Sequence, residues 1–299
     1  MKSTAIIMAL SLTVSAQAKL NVVATLPDLA ALAREIGGDQ VEVACIGKPG
    51  EDPHFIQAKP SNIVLLNRAD VLIENGLELE IGWLPALLEQ SRNYKIRAGA
   101  PGWILASVNV PLLEIPTGPV TRAMGDVHPY GNPHFLLDPE RGKMAAKNIA
   151  EGFKRVAPQF AAEFDANLAK LEKRIDAALA EAQKILAPYR GAKVVSYHKS
   201  LTYFEERFGL MEIGNIEPKP GIPPSPSHIT ALIGQMKQDD VKLILTEAWH
   251  ELRTPQLLAL KTGAKVVVLP TQVGSSADAT DYPSVCVAMA KAIAKAMKQ

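Results

Sequence analysis

"PQFAAEFDANLAKLEKRIDAALAEAQKILA", residues 158–187, is the stretch that decides the fold. Its apolar positions are Phe160, Phe164, Leu168, Leu171, Ile175, Leu179, Ala182 and Leu186. They step by three and four, which on an α-helix gives one continuous apolar stripe with the charged residues on a solvated face. A helix of about 30 residues is about 45 Å long, more than one small domain needs. The spacing therefore predicts a strut between two domains, and the chain on each side has to supply its own core.

Both flanks have the composition for that. In the first, strand-like "KLNVVATLP", "VEVACIG" and "DVLIENG" alternate with helix-like "DLAALAREIGG", "SNIVLLNRA" and "WLPALLEQS", and "YKIRAG" and "WILAS" read as shorter strands. In the second, "KVVSYH", "LMEIGNIE", "VKLILTE" and "KVVVLP" alternate with "SLTYFEERFG", "ITALIGQMKQ" and "TPQLLALKTG", and "SVCVAMAKAIAKAMKQ" closes the chain as a helix. Strands regularly separated by helices indicate parallel α/β sheets. The expected architecture is α/β: an N-terminal lobe over 19–157, a linking helix over 158–188 and a C-terminal lobe over 189–299. Residues 108–133, rich in proline and glycine, break the alternation as a loop. No internal sequence repeat is evident.

The start of the chain, "MKSTAIIMALSLTVSAQAKL", has one lysine, an apolar run and the small-x-small pattern Ala16-Gln17-Ala18. It reads as a signal peptide over 1–18 cut before Lys19, which places the expected mature protein, a soluble one, in the periplasm. With no cysteine near the cut, lipid anchoring is not expected. The 32 basic and 31 acidic side chains leave a formal net charge of +1 and are spread along the chain. That gives no footprint for nucleic acid or an anionic membrane surface. Cys45 and Cys286 lie in separate apolar elements and read as two buried free thiols; without CxxC spacing they make a poor metal site.

Three of the six histidines stand where a parallel sheet exposes functional residues, just past a strand or at a helix start. His54 follows "VEVACIG", His134 lies in "GNPHFLLDPE" ahead of a helix, and His198 ends "KVVSYH". Asp278 and Asp281 lie in a polar loop after the last strand. Three imidazoles and a carboxylate converging between the lobes would suit zinc or another late first-row ion, whereas all-oxygen sets suit calcium or magnesium. No HExxH, GxSxG, P-loop lysine or GxGxxG motif is present, so the set reads as a holder of metal and not an enzyme. His128 reads as an exposed loop residue able at most to capture metal transiently, His228 as structural, and His250 as a surface residue or one packed on Trp249.

Three stretches in order carry a family resemblance over nearly the whole mature chain. "PGEDPHFIQAKPSNIVLLNRADVLIENGLELE", "GNPHFLLDPE" and "VVSYHKSLTYFEERFGL" resemble the zinc- and manganese-specific solute-binding proteins of bacterial ABC importers. Phe135 and Leu136 replace that family's usual x-Trp. The resemblance implies two α/β lobes with parallel sheets joined by one long helix, with the metal site at their interface. It implies His54, His134 and His198 as ligands, with Asp281, followed by Tyr282, filling the fourth slot better than Asp278. A histidine in the third slot goes with zinc and a glutamate with manganese, so Zn2+ is the expected cargo ahead of Mn2+. The implied partners are an inner-membrane ABC permease and a periplasmic metallochaperone, with the protein itself a monomer. Many zinc members carry a histidine-rich run before the second ligand; "PTGPVTRAMGDVHPYG" has one histidine. Two other classes fit the same residues: a secreted metal-dependent hydrolase, which turnover would reveal, and a metal-binding adhesin or interaction protein on this scaffold. Neighbouring permease and ATPase genes would favour transport.

Overall fold

The computed structural model describes residues 18–118, 120, 125 and 127–298; the expected signal peptide lies outside them apart from Ala18. Two four-stranded sheets, all of whose pairings are parallel, divide the described residues. The first has β1 (Leu20–Ala24), β2 (Val41–Cys45), β3 (Val71–Glu74) and β4 (Trp103–Leu105) in the order β2-β1-β3-β4. The second has β5 (Lys193–Ser196), β6 (Met211–Asn215), β7 (Leu243–Glu247) and β8 (Lys265–Leu269) in the order β6-β5-β7-β8. Each lobe thus winds out to one neighbour and then jumps to the other side, and the two topologies are copies. The repeat is structural and is not evident in the sequence, where the side chains of each lobe fit different neighbours.

Helices α1 (Pro27–Gly37), α2 (Pro60–Arg68), α3 (Leu84–Ser91) and α4 (Pro139–Val156) cover the first sheet. Helices α6 (Thr202–Phe208), α7 (Pro226–Gln238), α8 (Arg253–Thr262) and α9 (Tyr282–Lys298) cover the second, and α5 (Ala161–Leu186) joins the lobes. Its 26 residues make a rod of about 39 Å, with single 3-10 turns at Pro158–Phe160 and Ala187–Tyr189 where the sequence suggested one unbroken helix. The stripe serves two cores. Phe164, Leu171 and Ile175 are buried in the N-terminal core, and Leu179, Ala182 and Leu186 in the C-terminal one. One sequence expectation fails locally: Tyr94–Ile96 of "YKIRAG" is a 3-10 turn. The Asn93 side chain accepts a hydrogen bond from the Lys95 amide at 3.0 Å, holding a local turn in place of a sheet pairing.

Two tyrosines from the C-terminal half stitch the lobes together. Tyr203 and Tyr282 both bury their rings in the N-terminal core. The Tyr203 hydroxyl donates to Asn132 O at 2.6 Å and accepts from Leu113 N at 3.1 Å. The Tyr282 hydroxyl donates to Leu136 O at 2.6 Å. Gly142 makes room for it, since a Cβ there would stand 1.7 Å from the Tyr282 oxygen. Beside them Asp138, fully buried at the start of α4, receives Arg141 at 2.7 Å and, from α6, Arg207 at 2.7 and 2.8 Å. The strand ends of both lobes are therefore held face to face.

Candidate metal centre

In open α/β sheets ligands bind beyond the carboxyl ends of the strands, and all three candidate histidines are delivered there. His54 sits in the loop after β2, where the Asp52 carboxylate accepts from its backbone N–H and faces its Nδ1, both at 2.9 Å. Pro53 is pinned by Trp83, whose indole N–H donates to its carbonyl at 3.0 Å. His134 follows Pro133, whose carbonyl accepts from Asn75 at 3.0 Å. The Asn132 side chain accepts from the His134 amide at 2.9 Å and donates across the crevice to Lys199 O at 2.7 Å. His198 directly follows β5 and Tyr197, and its Nδ1 lies 2.8 Å from Glu217, past the end of β6.

The ring centroids form a nearly equilateral triangle: His54–His134 5.1 Å, His54–His198 5.4 Å and His134–His198 5.5 Å. One ligand atom from each lies within 4.8 Å of the other two, and among the described residues this is the one group of three or more such side chains arranged to hold a metal ion. Asp52, His54, His134, His198 and Glu217 line a cavity of about 20 Å³, room for one ion or one water. A wider cavity of about 380 Å³ opens beyond it.

The electrostatics suit a divalent cation. An imidazole whose Nδ1–H donates to a carboxylate presents an Nε2 lone pair, the arrangement that orients metal-binding histidines. Asp52 does this for His54 and Glu217 for His198. Burial, the largest single effect, acts to raise both acids, but the hydrogen bonds and charges of the histidines, with further backbone N–H donors, together hold each below its usual range. Burial acts to lower His198, yet Glu217, Glu247 and Asp52 together raise it. His134 lies well below the ordinary histidine value because it is buried and then because imidazoles surround it. Its Nε2 is buried without a hydrogen-bond partner. A buried imidazole that resists protonation and keeps a free nitrogen fits a metal ligand.

Asp281, the expected fourth ligand, stands apart from the three histidines in this structure. It precedes α9, where its carboxylate accepts from the Ser284 amide at 2.9 Å and pairs with Arg174 of α5. An aspartate before a helix satisfies the helix's own first N–H groups, and that role is indistinguishable from a ligand slot in the sequence. Asp278 is exposed on the same face, lining a cavity with Arg174 and Asp281.

Other side chains at the centre were missed or misread. Asp52 was legible two residues before His54. Glu217 ends the strand-like "NIE", although its pairing with His198 depends on a tertiary contact. Glu247, at the end of β7, is buried with Oε1 accepting from Ser200. His128 is no bystander: its Nε2 is 3.3 Å from His54 Nε2, and burial, then the charge of His54, lowers it to about 4. His250 stacks on Tyr197, with centroids 4.0 Å apart and planes 9° from parallel, and also meets the Trp249 ring in a tilted contact at 5.8 Å. His228 packs at the start of α7, its Nε2 2.9 Å from Asn215 O. Cys45 and Cys286 are free thiols, both pushed up to about 12 by burial.

Known proteins with this architecture bind metals. A manganese ABC transporter substrate-binding lipoprotein, PsaA of Streptococcus pneumoniae, is 25% identical over 239 residues, 78% of this chain and 74% of that protein. The high-affinity zinc uptake system protein ZnuA of Brucella abortus is 28% identical over 151 residues, 50% of this chain and 45% of its own length. The crystal structure of ZnuA superposes with a TM-score of 0.77 at 25% identity, covering 93% of this chain and 98% of that one. The solute-binding protein FpvC of Pseudomonas aeruginosa, in complex with Mn2+, does so with a TM-score of 0.79 at 25% identity, covering 94% and 99%. The model of the periplasmic zinc-uptake complex component A family, ZnuA, matches residues 22–296, so the chain belongs to this family of metal-binding solute-binding proteins of ABC transporters.

Proposed function

We propose that this protein binds zinc in the periplasm and delivers it to an ABC permease in the inner membrane. The observation that carries this reading is the His54–His134–His198 triangle with carboxylates behind two of its members. The relatives include both zinc and manganese proteins, so the choice of metal rests on the donors. Neutral nitrogens suit a borderline-soft, four-coordinate ion, whereas manganese favours oxygen donors and more of them. Intrinsic affinities for a nitrogen-rich site also rank zinc above manganese.

The test is a competition titration of the metal-free protein against a chelator. Zinc should bind well ahead of manganese, and elemental analysis of protein purified without added metal should find zinc. His198→Glu should narrow the preference, because a carboxylate replaces a nitrogen ligand and can bind through two oxygens. Manganese preferred by the unmodified protein would overturn the zinc assignment. Zinc binding should also weaken as pH falls, since protons compete for the imidazoles.

A further inference from the structure

We propose that Glu80 is a positioning residue of the metal centre: it clamps the segment 75–83 into the shape that sets His54 and His134 at their mutual distance. This rests on the metal-site reading above and goes beyond it, because Glu80 stands outside the ligand set and acts through the backbone.

Both ligands of the N-terminal lobe follow a proline, and one segment holds both prolines. The Asn75 side chain donates to Pro133 O at 3.0 Å, directly ahead of His134. The Trp83 indole donates to Pro53 O at 3.0 Å, directly ahead of His54. Gly82 packs beneath the same loop, where a Cβ would stand 3.4 Å from His54 O. The carbonyl of each proline lies in the planar peptide that leads into the histidine, so fixing the carbonyl fixes the plane from which the imidazole departs. The segment works as a jig. The spacing of Asn75 and Trp83 governs the spacing of the two rings, whose centroids are 5.1 Å apart.

That spacing depends on Glu80. After Asn75 come three consecutive residues in the left-handed region: Gly76 at φ 87°, Leu77 at 59° and Glu78 at 63°. Space also confines position 76 to glycine, since a Cβ there would stand 2.4 Å from Leu105 Cδ1. Leucine and glutamate rarely adopt such backbone, and it persists only where the surroundings enforce it. The buried Glu80 carboxylate supplies the enforcement. Its Oε1 accepts from Asn75 N and from Thr25 Oγ1, both at 2.7 Å, and its Oε2 accepts from Gly76 N at 3.1 Å. Its backbone carbonyl accepts from Trp83 N at 3.1 Å and Leu84 N at 2.9 Å. One residue therefore grips the donor to Pro133 at one end of the segment and the donor to Pro53 at the other. Through Thr25 it ties both to the end of β1.

The experiment uses the full mature protein with zinc itself as the probe. Glu80→Ala is compared with Leu66→Ala, a truncation of a fully buried side chain in α2 that lowers stability but lies outside this segment. Melting of the metal-free proteins gives stability, chelator competition gives affinity, and zinc X-ray absorption gives the coordination. Losing a partner that orients a metal ligand costs about 10–100-fold in affinity. Glu80→Ala should show that loss together with a weaker imidazole signal, whereas Leu66→Ala should lower the melting temperature and leave affinity and spectrum unchanged. Glu80→Gln keeps an oxygen for Asn75 and Thr25 and should recover much of the loss. Trp83→Phe deletes the indole N–H that reaches Pro53, and should weaken zinc binding without any change at the carboxylate. If Glu80→Ala melts lower but keeps the parent's affinity and spectrum, Glu80 is only structural and the proposal is overturned. If Glu80→Ala does not fold, Trp83→Phe carries the test, and an unchanged affinity there overturns it equally. His54→Ala and His134→Ala give the reference for a lost ligand. Were both to bind zinc like the parent, the metal-site reading itself would fall, and this proposal with it.

Discussion

The two sides of the lobe interface treat their polar groups in opposite ways. At the back, demands are met: Asp138 receives two arginines and the Glu140 amide, and the Tyr203 and Tyr282 hydroxyls both donate to backbone carbonyls. At the front, beside the histidines, several buried atoms make no hydrogen bond within the protein, although Glu247 Oε2 faces His250 Nε2 at 3.4 Å. Asn75 Oδ1, His134 Nε2, Glu247 Oε2 and Thr271 Oγ1 have no hydrogen bond, and all four residues line one cavity of about 40 Å³ that both lobes enclose. Buried polar groups in folded proteins are ordinarily paired. A saturated interface is built to stay shut, whereas the front keeps buried polar atoms available to a cation or water. The back fixes the geometry, and the front leaves polar atoms facing the crevice.

The comparison breaks most visibly at Asp138. Removing one partner of a buried ion pair costs about 3–5 kcal/mol, because the charges left behind have no replacement. Asp138→Ala takes away both carboxylate bonds of Arg207, leaves Arg141 to Glu206 and the Pro111 carbonyl, and also removes the first-turn acceptor of α4. Its metal-free melting temperature should fall by many degrees. A variant melting within a degree or two of the parent would show that the back is not what holds the lobes.

The front should respond to metal and hardly at all without it. A ligand that binds only the folded state adds about 4 kcal/mol at a thousandfold excess over Kd. Zinc should therefore raise the melting temperature by several degrees or more, and alanine at His54, His134 and His198 together should abolish the gain. A full zinc shift in the triple variant would mean the wrong site. Because the back is closed in advance, small-angle scattering should show little compaction on zinc binding; a large one would count against a rigid interface.

How far this division was legible in the sequence depends on distance along the chain. The α5 stripe announced two cores because helical periodicity is local, and strand–helix alternation announced two parallel sheets for the same reason. The three histidines were legible through their positions past strands. Glu217 and Glu247 were not, since a carboxylate becomes a second partner to a ligand only through tertiary contact. Asp281 illustrates the converse: an aspartate ahead of a helix can serve the helix, and a loop aspartate near a tyrosine looks the same in sequence. His128 was read as exposed because a lone histidine in a proline- and glycine-rich loop carries no periodicity to place it.

Asp28 sharpens the comparison through pH. It is buried beside the 40 Å³ cavity, accepts from Val273 N at 3.1 Å, and desolvation raises it from 3.8 to about 7. A raised acid favours its neutral form in the folded state. Folding then bears no penalty below the unfolded pKa, and the penalty grows as pH climbs towards the folded value. Asp28→Asn keeps an acceptor for Val273 and removes the ionisation. Its advantage over the parent should grow by about 2–3 kcal/mol between pH 5 and pH 8, levelling off above pH 7. Parallel stability curves across that range would show that Asp28 ionises freely.

The smallest effect belongs to Arg174, which reaches Glu35 of α1 and Asp281 ahead of α9 and so ties α5 to both lobes. By position it looks like a clamp as important as Asp138. Its surroundings argue otherwise. The Arg174 side chain is 49% exposed, against 0% for Asp138, and exposed ion pairs contribute about 0–1 kcal/mol because water solvates each partner nearly as well. Asp281 also keeps its hydrogen bonds with Ser284 whether or not the guanidinium is present. Arg174→Ala should lower the melting temperature slightly, less so in high salt where the pair is already screened, and leave the zinc-induced shift unchanged. A loss of several kcal/mol would place Arg174 with the back of the interface. A changed zinc shift would mean that freeing Asp281 alters the metal centre, and would reopen its place among the ligands.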